Sequence, residues 1–217
     1  MIKATGTGIG GPEELTRLSD EALMSRYRDQ GRTEDFEALI QRYQNELYRY
    51  LARYLGDRVL SEDVFQNTFL QIHLKRGLYE EGRPVRPWIY SIATHQAVDA
   101  LRKLGRHPTV SLDQNLNSGT NSGDNEAGRL IDLLTNDEAG PLAELQAEER
   151  KQWVRDSVAR LPDVLRQTLI LAYHQDLKYR EIADILKIPV GTVKSRLHAA
   201  LSKLQQMARA TNRDGDD

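Results

Sequence analysis

Residues 179–197 read YREIADILKIPVGTVKSRL, and the spacing of their aliphatic side chains predicts two short helices separated by a turn. Ile182 and Leu186 are one helical turn apart and would lie on the same face of the first helix. Val193 and Leu197 repeat that spacing in the second helix. The proline-containing sequence KIP between them is a poor continuation of either helix. This stretch therefore predicts a compact helix-turn-helix unit.

The second helix of this unit is basic and carries compact polar side chains. Four basic residues and no acidic residue lie between positions 187 and 203. Such a helix fits the major groove of DNA, with its N-terminal half at the base edges. We expect DNA contacts from five residues on its outer side: Thr192, Lys194, Ser195, Arg196 and His198. A plain helical hairpin within a larger core is the alternative that periodicity alone leaves open.

The chain as a whole has 217 residues, of which 39% are apolar and 29% charged, and it contains no cysteine. These proportions are typical of a globular protein, and the lack of cysteine excludes disulfides and thiolate metal sites. The net charge of −2 is unevenly spread, since residues 107–150 hold 9 acidic and 2 basic residues whereas residues 151–217 hold 8 acidic and 12 basic. No apolar run approaches the roughly 18 residues of a membrane span, and residues 1–12 lack the apolar core of a signal peptide. We therefore expect no membrane insertion and a cytoplasmic location.

The first half of the chain also has helical patterns. Eight apolar residues from Phe36 to Tyr54 are separated by gaps of one, three or four positions, which traces one face of a long helix. The other predicted segments are a helix over 14–30, a helix that Ser61-Glu62-Asp63 opens, a loop over 76–87 and a helix over 87–104. No alternating strand pattern occurs, so the predicted fold class is all-α.

Composition divides the chain into two helical domains and a linker. Residues 113–128 are dominated by Asn, Ser, Gly and Asp, and they offer too little apolar area to offset the entropy of ordering. The predicted segments are a flexible tail (1–13), a first helical domain (14–106), a flexible acidic linker (107–140), a second helical domain with the helix-turn-helix (141–210) and an acidic tail (211–217).

Three motifs, in this order and spacing, resemble the extracytoplasmic-function (ECF) group of the bacterial sigma-70 family. Residues 62–70, EDVFQNTFL, resemble region 2.2, which docks on core RNA polymerase. Residues 86–102, from RPWIYSIA to DALR, resemble regions 2.3 and 2.4, which open and read the −10 element. Residues 161–197 resemble region 4, which reads the −35 element.

The resemblance implies an RNA polymerase sigma factor whose partners are core RNA polymerase, the double-stranded −35 element and the single-stranded −10 element. An anti-sigma factor is a further partner that many members of the family have. The resemblance implies no catalytic site, no cofactor and no metal. The implied polymerase contacts are Glu62, Asp63, Gln66, Asn67 and Leu70. The implied −10 contacts are Tyr79, Arg83, Arg86, Tyr90, His95, Arg102 and Lys103, with Tyr79 as the ring that stacks on a base.

The sequence departs from the family pattern at three positions. Lys187 stands in the helix-turn-helix turn where glycine is usual, and in a left-handed conformation it would cost about 1 kcal/mol. Ala199 replaces a common basic residue and so removes one expected DNA contact. His95 stands where region 2.4 usually has asparagine, which bears on the −10 sequence that is preferred.

A stand-alone helix-turn-helix transcriptional regulator is the second function to weigh. It accounts for residues 146–207 but leaves the motifs of residues 62–106 unexplained. The two functions differ in their partners, because only a sigma factor should bind core polymerase and the single-stranded −10 element. An enzyme is disfavoured, since the sequence contains no HExxH motif, phosphate-binding loop or nucleophile elbow.

Overall fold

In the computed structural model, which describes residues 12–105 and 141–214, the regular structure is entirely helical. The all-α expectation is therefore confirmed, while the predicted linker of residues 107–140 lies outside the described residues. The α-helices are α1 (Pro12–Arg17), α2 (Asp20–Gln30), α3 (Thr33–Leu55), α4 (Arg58–Lys75), α5 (Val85–Lys103), α6 (Pro141–Ala159), α7 (Asp163–Tyr173), α8 (Tyr179–Leu186) and α9 (Val190–Asp214), and a 3₁₀ turn (Arg76–Leu78) follows α4.

Two helices begin at positions other than the predicted ones, because capping residues near their N-termini fix where they start. The segment 14–30 is two helices, because Ser19 adopts an extended conformation and its side chain accepts a hydrogen bond from the Ala22 amide at 3.2 Å. Helix α4 begins before Ser61, since Asp57 caps it by accepting from the Leu60 amide at 3.1 Å. Ser61 is instead buried in the second turn of that helix.

The last helix is longer than the sequence predicts. Helix α9 continues to Asp214 and so runs through most of the segment 211–217 that was expected to be a tail. Helix α8 and the start of α9 lie where residues 179–197 predict two short helices.

The core of the N-terminal half is built around α3. Leu39, Leu47, Tyr50 and Leu51 are almost completely buried along one face of this helix, as the repeat of apolar residues predicts. Helices α2, α4 and α5 pack around that face. Burial of each large aliphatic side chain contributes about 1.5–3 kcal/mol, so the stripe fixes the bundle that presents α4 and α5.

The C-terminal half has its own apolar stripe along α9. Val193, Leu197, Ala200 and Leu204 are buried at successive turns of this helix against α7 and α8. Ile182 of α8 is also fully buried, so the two helices of the predicted helix-turn-helix share one core.

The two halves meet at what we term the tyrosine seam, formed by Tyr50, Tyr54 and Tyr90. The hydroxyl of Tyr90 donates a hydrogen bond of 2.6 Å to the side-chain oxygen of Gln175. The Arg166 guanidinium lies 5.5 Å from the centre of the Tyr54 ring. Helix α5 packs against α8, and α3 packs against α7. The halves predicted as separate modules on a flexible tether are therefore in direct contact in this structure.

Candidate nucleic-acid interface

The N-terminal half of α9 presents part of the predicted DNA-binding set to solvent. Lys194 and His198 are exposed and lie one turn apart on the same side of the helix. Thr192 and Ser195 are half-buried, and the Ser195 hydroxyl donates to the Thr192 carbonyl at 3.1 Å. Four of the five predicted residues are thus accessible along the first turns of this helix.

Arg196 does not face outward, and the expectation of an outer position is wrong for this residue. Only 8% of its surface is exposed. The reason is helical geometry, since Arg196 follows Val193 by three positions and precedes Ala200 by four, and both of these residues are fully buried. Arg196 therefore lies along the edge of the stripe that packs α9 against α7 and α8.

The turn between α8 and α9 is left-handed at Lys187, the position where glycine is usual in the family. Lys187 has φ +54° and ψ +46°, and its amide donates to the carbonyl of Ala183. At the start of α8, the Glu181 carboxylate accepts from the Lys178 amide at 2.8 Å. Ala199 is half-buried and adds no charge to the exposed face.

The residues predicted to contact the polymerase share one exposed face of α4. All five are exposed, namely Glu62, Asp63, Gln66, Asn67 and Leu70. The opposite face of the helix holds Val64, Phe69 and Ile72 in the core.

Three exposed apolar residues that are not among the predicted contacts extend this face. Val59 is 70% exposed, Leu74 62% and Leu78 72%. Leu74 follows Leu70 by one helical turn, and Leu78 lies in the 3₁₀ turn beyond it. The sequence does carry a sign of the last two, because leucine recurs every four positions at 70, 74 and 78 and none of these residues belongs to the core. The face therefore combines carboxylates and amides with an apolar strip.

Tyr79 is not the exposed stacking ring that was expected. It is 2% exposed, its ring lies edge-on to Trp88 with centroids 5.4 Å apart, and its hydroxyl donates to the carbonyl of Arg83. Burial raises the pKa of the phenol above its ordinary value. Tyr79 thus supports from within the exposed residues 80–84, which lie between the buried Tyr79 and Val85.

The two arginines near this loop are placed differently. Arg83 is exposed and lies 3.7 Å from Glu80. Arg86 is half-buried, with its guanidinium 3.2 Å from the Glu46 carboxylate and 5.5 Å from the centre of the Tyr90 ring. Tyr90 itself is fully buried by the tyrosine seam, so its expected place on the DNA-facing side is wrong for this structure.

The solvent side of α5 carries the remaining predicted −10 residues. His95, Arg102 and Lys103 are all exposed, and Arg102 makes only a loose ion pair of 3.5 Å with Asp99. Exposed ion pairs of this kind contribute little to stability, which leaves the arginine available to other anions. The exposed side of α5 and residues 80–84 therefore supply polar and basic groups from adjacent segments of the chain.

Neither a metal site nor a membrane-spanning element is found in the part of the chain that the structure describes. No group of three or more His, Asp and Glu side chains there has the geometry to hold a metal ion. None of the helices over the same residues has the length and apolar character needed to cross a membrane.

Comparison with known proteins identifies both halves. Residues 39–107 match the family model of Sigma-70 region 2, and residues 151–204 match that of Sigma-70, region 4. The chain is 30% identical over 194 residues to the ECF RNA polymerase sigma-E factor of Haemophilus influenzae, with 87% of this chain and 95% of that protein covered.

Two solved structures share the fold. The structure of CnrH in complex with the cytosolic domain of CnrY aligns with a TM-score of 0.61 at 20% identity, covering 88% of this chain and 97% of that one. The sigma factor RpoE in complex with the anti-sigma factor NepR from Bartonella quintana aligns with a TM-score of 0.57 at 19% identity, covering 81% and 98%. Since both regions match and the identity extends over nearly the whole length of a curated relative, the chain belongs to the sigma-70 family as an ECF RNA polymerase sigma factor.

Proposed function

We propose that this sigma factor uses three separate surfaces to direct promoter-specific initiation. The exposed face of α4 binds core RNA polymerase, residues 80–84 with the solvent side of α5 bind the single-stranded −10 element, and the N-terminal half of α9 binds the −35 duplex. The observation that carries the proposal is the α4 face, because a DNA-binding regulator has no need of an exposed strip of apolar and acidic residues on a helix remote from its helix-turn-helix.

At the −35 element, Lys194 and His198 point away from the core of their unit, which supports contacts to phosphates or base edges. Thr192 and Ser195 are the nearest polar neighbours along the same turns. Each lysine–phosphate contact should add about −0.9 to the slope of log affinity against log salt concentration.

At the −10 element, the exposure of Arg83, His95, Arg102 and Lys103 supports contacts to an unpaired strand. These groups offer charge to the backbone and hydrogen bonds to bases that melting has made accessible. Tyr79 supports the loop that carries Arg83, and Arg86 holds the start of α5 through Glu46. In this role the chain performs no bond chemistry, and we propose that it has no catalytic site and works in the cytoplasm.

An anti-sigma factor is the third proposed partner. The support is fold-level likeness to RpoE, which was solved in complex with the anti-sigma factor NepR. A partner that covers the α4 face or holds the two halves together would prevent polymerase and promoter from being engaged at the same time.

The polymerase assignment is tested by charge reversal on α4. We expect Asp63→Lys to weaken binding of the full chain to purified core RNA polymerase, measured by fluorescence anisotropy, while leaving its affinity for −35 duplex unchanged. Glu37→Lys makes the same charge change at an exposed position on α3 and is the matched control. Unchanged polymerase affinity for both Asp63→Lys and Leu70→Glu, together with binding of intact duplex in the absence of polymerase, would favour the stand-alone regulator.

A further inference from the structure

Helix α2 binds both ends of the exposed loop that contains residues 80–84. A carboxylate oxygen of Glu21 accepts a hydrogen bond of 3.2 Å from the amide of Val85, just after the loop. The guanidinium of Arg28 donates a hydrogen bond of 3.1 Å to the carbonyl of Tyr79, just before it. Glu21 and Arg28 are two helical turns apart and therefore project from the same face of α2.

The amide of Val85 needs a partner from elsewhere in the fold. Val85 is the first residue of α5, and the preceding Pro84 has no side chain that can cap the helix. The first amides of a helix lack acceptors within the helix, and a carboxylate at that end is also favoured by the helix dipole. Glu21 therefore acts as a cap for α5 that is supplied by another helix.

The neighbouring Asp29 fixes the orientation of the Arg28 side chain. Its guanidinium makes two hydrogen bonds to the neighbouring Asp29, at 2.6 and 3.0 Å, which fix the orientation of its plane. The same guanidinium lies 3.6 Å from the Glu81 carboxylate at the tip of the loop. Arg28 thus offers one bond to the backbone and one ionic contact to a side chain of the loop.

The loop itself is short and internally bonded. The Arg83 amide donates to the Glu80 carbonyl at 3.2 Å, and Gly82 has φ +82°, a conformation in which glycine carries no strain. With both ends bound to α2 and the Tyr79 ring packed on Trp88, the exposed residues have few alternative conformations. A binding segment that is ordered in advance loses less entropy when its ligand arrives.

We infer that Glu21 and Arg28 are positioning residues that hold this loop ready for the unpaired −10 strand, an inference that rests on the proposed function of the loop. Neither side chain needs to touch DNA for this role. Their loss should weaken binding to the single strand and leave the polymerase face of α4 and the −35 surface of α9 unaffected.

The test measures binding of a fluorescent single-stranded −10 oligonucleotide to holoenzyme assembled from the full chain and core polymerase. We expect Glu21→Ala and Arg28→Ala each to weaken this binding about fivefold, the effect of losing one hydrogen bond. Glu21→Gln keeps an acceptor oxygen and should bind within twofold of wild type, a difference well under that of a hydrogen bond. Arg17→Ala removes an exposed arginine from α1 and is the matched control.

Failure of the positioning role of Glu21 and Arg28 can be told apart from failure of the proposed DNA-binding role of the loop. Deletion of residues 81–82 removes the tip of the loop, and if this leaves the single-strand affinity unchanged, the proposed role of the loop itself fails. If the deletion weakens binding but the alanine variants of Glu21 and Arg28 both bind like wild type, only the positioning role is overturned. If either alanine variant is poorly folded by circular dichroism, the conservative variants decide. Glu21→Gln keeps an acceptor and should bind within twofold of wild type, whereas Arg28→Lys loses the planar guanidinium that Asp29 orients and should bind more weakly. Wild-type binding by Arg28→Lys would overturn the positioning role of Arg28.

Discussion

The two surfaces proposed to read DNA are held in place by different forces. The N-terminal half of α9 is fixed by an apolar stripe, Val193, Leu197 and Ala200, within its own helical unit. The loop that contains residues 80–84 is fixed by hydrogen bonds from Glu21 and Arg28, which reach it from another helix. The difference suits the two ligands proposed for these surfaces: a rigid helix fits the major groove of a duplex, whereas a loop that is ordered in advance loses less entropy when it binds an unpaired strand.

These two kinds of support predict different effects of mutations on stability. An apolar stripe supplies several kcal/mol, so its loss should unfold the unit together with its surface. The hydrogen bonds from Glu21 and Arg28 supply about 1 kcal/mol each. Their loss should therefore loosen the loop of residues 80–84 without unfolding the N-terminal bundle.

The largest effect is expected from Leu197→Ala in the stripe of α9. Removing this buried side chain leaves a cavity against α7 and α8, and should lower the free energy of unfolding by about 2–5 kcal/mol. Chemical denaturation followed by circular dichroism measures the change, and the adjacent exposed His198→Ala should alter it by less than about 0.5 kcal/mol. Equal destabilisation by the two variants would mean that the stripe does not anchor α9.

An intermediate effect is expected at the tyrosine seam between the halves. Gln175→Ala removes the acceptor of the buried Tyr90 hydroxyl and should lower the free energy of unfolding by about 1–3 kcal/mol. The double variant Tyr90→Phe with Gln175→Leu removes both polar partners and should be close to wild type. If Gln175→Ala denatures at the wild-type urea concentration, the hydroxyl reaches water and the halves are apart in solution.

The smallest effect is expected in the turn between α8 and α9. Lys187 has a left-handed conformation that glycine adopts without strain, so Lys187→Gly should raise the free energy of unfolding by up to about 1 kcal/mol. Asp176 is the other described non-glycine residue with positive φ, and Asp176→Gly should give a smaller gain because aspartate tolerates this conformation better. A lower melting temperature for Lys187→Gly would show that its side chain makes compensating contacts.

The sequence was informative where structure depends on neighbouring residues. The apolar repeat of α3 and the paired helices α8 and α9 follow from spacings of three and four positions. The residues of the exposed α4 face were implied by the resemblance of residues 62–70 to region 2.2. The sequence left open whether the turn at Lys187 keeps the left-handed conformation in spite of its cost, and the structure shows that it does.

The sequence was uninformative where the partner lies far along the chain. Tyr79 looked like an exposed ring because its packing on Trp88 depends on how the loop folds back. Arg28 and Glu21 contact residues 51 and 64 positions away, and nothing local marks them as partners of the loop. Arg196 is a different case, since its nearness to the buried Val193 and Ala200 could have been read from the spacing.

Transcription in vitro tests the central claim most directly. Purified core RNA polymerase, the full chain and a library of genomic promoter fragments are combined, and the 5′ ends of the transcripts are mapped. The account predicts transcripts that begin at defined positions downstream of shared −35 and −10 sequences, only when the chain is present, and far fewer with Asp63→Lys. Transcripts with the same start positions in the absence of the chain, or none at all in its presence, would contradict it.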